Sequence, residues 1–236
     1  MALNHTYWRG VFLRTFCKEI HTLVEVLEQR VLPGFNSIEQ ESEKITSDAW
    51  DSFMSAPATG EEDPAEFAEA AQEIGIEHYF LMTGMRQGVT NLFAAALYHL
   101  FEQQLMLFHR RQLLHPGEEN DSSLFNQKEI EKRLEPKGIV VSTFVSWPIV
   151  QELRLLANTV KHAEGASAMK LQETRPDMFK APGLPGMGEW DVRIVRRIFQ
   201  PLSGKDVFVS IENVHEFRDS LCQFWNELID AMSADA

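Results

Sequence analysis

Residues 91–108, NLFAAALYHLFEQQLMLF, decide the fold. Apolar side chains fall on most sides of a helix wound through this run. It therefore reads as the central element of a core rather than as a surface helix. His99, Glu102, Gln103 and Gln104 interrupt it, which makes it too polar for a membrane span. Upstream, Asp63-Pro64 followed by Glu66 is a helix start, with an aspartate cap, proline at the first position and an acid at the third. The pattern predicts a helix from there toward Leu114, either continuous or kinked at Gly75 or Gly84, with its longest unbroken part over residues 85–110.

Outward from this element the chain keeps reading as helix. Phe12, Phe16, Ile20, Leu23 and Leu27 recur every three or four residues, predicting a helix over 7–31 that Pro33-Gly34 ends. A more polar helix is expected at about 36–54, a loop at SAPATGEEDP (55–64), another loop at HPGEENDSS (115–123) and a short helix at 126–134. EPKGIVVSTFVS (135–146) fits a short strand or extended chain. A helix should start near Trp147-Pro148, with Ser146 as its cap, and stop by Gly165. A short helix is expected at 166–173. RPDMFKAPGLPGMGEW (175–190) is too rich in proline and glycine to hold regular structure for long. KDVFVSI (205–211) fits a short strand. A last helix at about 211–232 puts Val214, Phe217, Leu221, Phe224, Trp225 and Leu228 on one face. The expected fold is all-α, a single helical domain over 1–236 with a loop-rich C-terminal insertion.

The 236 residues suffice to bury a core without staples, and 44% of them are hydrophobic, as in ordinary globular chains. The net charge of −13 argues against non-specific binding to nucleic acid or anionic membrane. The charge is uneven: residues 1–125 carry −11 and residues 126–236 carry −2, so an anionic ligand should prefer the second half. Residues 61–77 contain seven acids and no base, which reads first as a solvated face suited to a positive helix N-terminus. Cys17 and Cys222 each sit in an amphipathic pattern and read as small core residues, suiting a reducing compartment. The N-terminus lacks a secretory pattern, so a cytoplasmic location is expected. No metal-ligand spacing is present, and no cofactor is expected.

ELRLLANTVKH (152–162) is the stretch that points to function. At about 100° per residue, Leu153, Leu156, Val160 and Ala163 gather around Ile149. Arg154, Asn158 and Lys161 fall opposite, with His162 at their edge, and no acid shares that face. Asn158 and His162 are four apart and meet. Arginine and lysine hold phosphate, and a histidine near its ordinary pKa can exchange a proton near neutrality. Metal-independent cleavage of RNA needs little more: a base for the 2′-hydroxyl and cations for charge developing on phosphate. An ordinary wet helix face is the competing reading.

This stretch, at the end of a helical domain, resembles the motif helix of HEPN domains. Those are helical bundles common in bacterial toxin–antitoxin and phage-defence systems, and many are metal-independent ribonucleases. Their mark is an arginine, four to six residues, then a histidine, often with a polar residue between. By resemblance Arg154, Asn158 and His162 would be the catalytic set. Seven residues stand between Arg154 and His162 here, so the second half of the motif matches better than the first. The resemblance implies a homodimer with two motif helices facing one cleft, acting on RNA. It also leaves room for a non-catalytic protein that binds a nucleotide or partner protein through the same face.

Lys161, His99 and Glu102 are the accompanying ligand-binding candidates: His99 and Glu102, three apart on the central helix, could reach the motif helix, with Glu102 pairing Arg154 or Lys161. A buried polar cluster with its own partners is the plain alternative. HRR (109–111) and RIVRR (193–197) are small basic patches, ordinary surface charge first and phosphate contacts second.

Overall fold

The computed structural model describes residues 3–56, 63–181, 190–191 and 197–234. The chain is all-α, as its sequence predicts. Among the described residues, extended pairing is confined to two residues of β1 (Lys180–Ala181) against two of β2 (Trp190–Asp191). The central parts of the expected 55–64 and 175–190 loops, and Arg193 and Arg196 of the RIVRR patch, lie outside the described residues.

The N-terminal helix runs as α1 (His5–Val11), a wide π-helical turn over Phe12–Phe16, α2 (Cys17–Val26) and a second π turn over Leu27–Val31. Trp8, Phe12, Phe16, Ile20 and Val24, all buried, recur every four residues. A period of four outruns the α-helical 3.6, and a wider turn takes up the excess and keeps them on one face. Phe12 and Phe16 pack on Trp225 with ring centroids 4.6 and 5.0 Å apart. Trp8 meets Phe108 at 4.9 Å and donates its indole N–H to Gln112 Oε1 at 2.8 Å.

α3 (Ile38–Ser55) is followed by α4 (Pro64–Phe108), 45 unbroken residues and about 67 Å long at about 1.5 Å per residue. Asp63 caps α4 as expected, its carboxylate accepting from Ala65 N at 2.8 Å. The helix passes Gly75 and Gly84 without a break and goes on through a π turn over His109–Leu113. Only its C-terminal half is central. Phe101, Leu105 and Phe108 lie in the core there, beside α2, α6 (Trp147–His162) and α8 (Ile211–Ala234). Its N-terminal half leaves the bundle with α3 packed along it, and among the described residues α3 packs on no other helix to any extent. Gly75 makes that pairing close, since a methyl there would overlap the Thr46 side chain. Phe53 stacks on Phe67 near the tip, at 5.7 Å.

α5 (Gln127–Leu134) and α7 (Ala166–Thr174) fall where expected. Three local expectations are corrected. Residues 135–146 form two short 3-10 turns, Glu135–Lys137 and Val141–Thr143, rather than a strand. Ser146 stands at the N-cap position of α6 as expected, but its hydroxyl makes no capping bond and donates to Glu227 on α8 at 2.6 Å. Residues 205–211 are not a strand either. Val207 and Val209 are buried, but this backbone bonds to side chains and a turn, with Phe208 N donating to Met178 O at 2.7 Å and Val209 N to Asn91 Oδ1 at 3.2 Å.

A cluster at the other end of the bundle sets an acid sensitivity. Arg133 reaches Glu118 through both terminal nitrogens at 2.8 and 2.9 Å, and Glu129 through Nε at 3.0 Å. These bonds from Arg133, then the backbone N–H of His115, hold the Glu118 carboxyl down at about 2, against an ordinary 4.5. A folded pKa below the unfolded one contributes stability that is complete above pH 4.5 and is lost as pH falls toward 2. Thermal melts across this range are therefore expected to show a shallower acid decline for Glu118→Gln than for the natural chain; identical slopes would remove the cluster from acid unfolding.

Candidate functional site

α6 and the second half of α4 lie side by side, and His99 and Lys161, two of the residues that the sequence pointed to, meet at the seam between them. On α6, Leu153, Leu156 and Val160 are buried, while Asn158 is half-buried and His162 exposed, as the helical period requires. The buried side is broader than one stripe: Leu155, Ala157 and Thr159 are buried too. On the side opposite Leu153, a polar strip of Gln151, Arg154, Asn158, Lys161 and His162 remains at least partly open.

A groove of about 540 Å³ opens beside α6, and of this strip Lys161 lines it. His99, Gln103 and Ala95 of α4 line it, with Val160 and Lys161 of α6 and Leu202 of a following turn. Two candidates from distant parts of the sequence, His99 and Lys161, are thus brought into one concavity. His99 Nδ1 stands 3.5 Å from Glu102 Oε2, with both side chains nearly half exposed, so the pair is neither buried nor tied to α6. Among the described residues Glu102 forms no ion pair with Arg154 or Lys161. Lys161 has no carboxylate partner there, which leaves its charge free for a ligand.

Arg154 is half-buried, and its covered Nε has no hydrogen-bond partner. Its charge is felt by Tyr98, next to His99 on α4. Burial foremost, then the negative charge of Glu102, push the Tyr98 phenol up to about 12, while Arg154 pulls the other way. Tyr98 is thereby a neutral hydroxyl at all physiological pH values, lying between the fields of an acid and a base. The tyrosine was not singled out from the sequence, because within an apolar run it reads as core. Leu202 carried no signal at all: it reaches the groove only because a turn more than a hundred residues away folds back onto α4.

His162 ends α6 at a strained joint. Ala163 has φ 57° and ψ −115°, and among the described residues it is the one non-glycine with positive φ. Such a backbone costs of order 1–3 kcal/mol in a residue with a Cβ. Ala163→Gly is expected to raise stability by about 1 kcal/mol, seen as a gain of roughly 2–4 °C in Tm. A loss of Tm would show that the joint is relaxed. His109, in the sequence an HRR patch, is fully buried with both ring nitrogens unpartnered, and burial foremost lowers its pKa. Arg110 and Arg111 remain exposed.

Among the described residues no group of three or more histidine, cysteine and acidic side chains is placed to hold a metal ion, and no helix is long and apolar enough to cross a membrane. No protein-family profile, curated protein or solved structure matches the chain.

Proposed function

We propose that this chain acts on RNA at the α4–α6 seam, as a metal-independent ribonuclease of a bacterial defence or toxin–antitoxin system, working as a homodimer. The observation that supports this best is the acid-free strip of Arg154, Asn158, Lys161 and His162 on α6, whose Lys161 lines one groove with His99 of α4. In this reading Arg154 and Lys161 hold the phosphate. His162 takes the proton of the 2′-hydroxyl, whose oxygen attacks the adjacent phosphorus. The bond to the 5′-oxygen breaks, and that oxygen leaves with a proton. The products are a 2′,3′-cyclic phosphate and a 5′-hydroxyl. Asn158, one turn from His162, orients the ring, and the His99–Glu102 pair supplies a second proton-exchanging group across the groove.

The apolar walls of the groove favour a second reading, a binding module that takes a nucleotide base or a partner's apolar side chain without cleavage. Leu23, Leu92, Leu100, Val160 and Leu202 supply most of that surface. Incubating the protein with total RNA and tRNA, with and without EDTA, separates the two. Cleavage that survives EDTA supports the nuclease. A folded, dimeric protein that leaves RNA intact supports the binding module.

A further inference from the structure

The acidic charge of this protein is concentrated in one place. α3 and the first half of α4 (64–85) hold nine carboxylates and one lysine, a net of −8; with Glu61, Glu62 and Asp63 between them, residues 38–85 carry −11, while the other 188 residues sum to −2. This is the helical pair that leaves the bundle. Its α4 face is also apolar. Counting back from Phe108 through Leu105, Phe101, Tyr98, Ala94, Asn91 and Gln87 in steps of three and four leads to Phe80 and Ile76. The side of α4 that faces the core in the bundle therefore continues into the arm. Among the described residues no element covers it there: Ile76 is 46% exposed and Phe80 52%. Leu81, at 59%, and Met85 extend the open surface on the neighbouring side. Glu66, Glu69, Glu73 and Glu77 lie on or beside the same face, and no base does.

We infer that this arm is a docking surface for a basic amphipathic helix of another protein. Exposed large apolar groups in a stripe, rather than scattered singly, mark an interaction site. The charge says what fits. A second copy presenting its own arm would set −8 against −8, and like charges across an interface are costly. A helix with an apolar face and flanking lysines or arginines would cover Ile76, Phe80, Leu81 and Met85 while its cations meet the glutamates. The arm gives it about 30 Å of helix to lie on, 20 residues at about 1.5 Å each. This surface is separate from the α4–α6 seam and does not depend on the reading of that site.

The test uses the full chain and a defined probe: a synthetic helical peptide of about five turns, with leucines on one face and lysines on the other. A peptide with glutamates in place of the lysines is the control. Calorimetry is expected to show binding of the lysine peptide alone, weakening in 1 M salt, where screening acts over only about 3 Å. Phe80→Ser with Leu81→Ser, and separately Glu69→Gln with Glu73→Gln and Glu77→Gln, are each expected to weaken it at least roughly tenfold. The first pair changes side chains that are more than half exposed, and the second set changes charge alone, so the fold persists and is checked by circular dichroism. No binding, or binding indifferent to both sets, overturns the proposal. A dimer that sedimentation shows to fall apart on Phe80→Ser with Leu81→Ser also overturns it, by giving the face to a second copy.

Discussion

His162→Ala is expected to lower RNA cleavage by roughly 100- to 10,000-fold, the value of a positioned proton-transfer group, while leaving the fold intact. The side chain is exposed and has no hydrogen bond or ion pair among the described residues. Its removal should therefore change stability by about 0.5 kcal/mol or less. Arg154→Ala should also reduce cleavage, by weakening the hold on phosphate, but its half-buried stem makes some loss of packing part of the result. His162→Gln keeps the polarity of the helix end without its titration, and it should be as inactive as the alanine variant. Product ends carry the mechanism: cyclic phosphate and 5′-hydroxyl termini are expected. Full activity of His162→Ala, or a strict metal requirement, would falsify the role given to this residue.

The second large effect is on stability and concerns Asn91. It is completely buried in the middle of α4, and every polar atom of its side chain is used. Its Nδ2 donates to Pro201 O at 2.7 Å and Val207 O at 2.8 Å, and its Oδ1 accepts from Val209 N at 3.2 Å and Gln87 Nε2 at 2.9 Å. One side chain thus takes the place of a strand partner for the segment entering α8. Asn91→Leu keeps the branched shape but leaves the Val207 carbonyl and the Val209 amide buried without this partner, and it strips Pro201 O of one of two donors, the other being Gly204 N at 3.4 Å. At about 1–3 kcal/mol for each such group, the expected loss is about 3–5 kcal/mol in urea unfolding. The neighbouring backbone cannot shift to compensate, because the 201–204 turn lies directly on Gly84 and Gly88, where any methyl would overlap the Leu202 and Ser203 carbonyls. A loss below about 1 kcal/mol would mean that water replaces the amide.

Asn91 also shows where sequence reading stopped. In NLFAAALYHLF it stands as the first polar residue of an apolar run, and nothing local tells it from an exposed asparagine. Its partners are more than a hundred residues away. The valines at 207 and 209 raised the expectation of a strand, and they are buried as strand residues would be; the missing element is a neighbouring strand, which Asn91 replaces. In the same way, the sequence placed a helix from Asp63-Pro64 toward Leu114, centred on 85–110, but left open whether it runs unbroken through Gly75 and Gly84 or kinks there. Gly75 and Gly84 are retained in the helix because Thr46 and Ser203 press against them there, a tertiary reason that outweighs their poor helix propensity.

At the candidate site, the helical period by itself set which side of α6 is wet, since that follows from about 3.6 residues per turn alone. It placed Arg154, Asn158, Lys161 and His162 together and Leu153, Leu156 and Val160 inside. Local periodicity likewise determined the helical class of the fold and the capped start of α4, because both depend on neighbours within a few residues. The tertiary structure decided what faces that wet side. It brought His99 to Lys161, kept Glu102 on His99 instead of Arg154, set Tyr98 between opposite charges and closed one wall with Leu202. Among the described residues it also left the apolar side of α4 uncovered between Ile76 and Phe80. These features rest on contacts between segments far apart in the chain, and such contacts are fixed by how whole helices pack, a property that no single stretch of sequence carries.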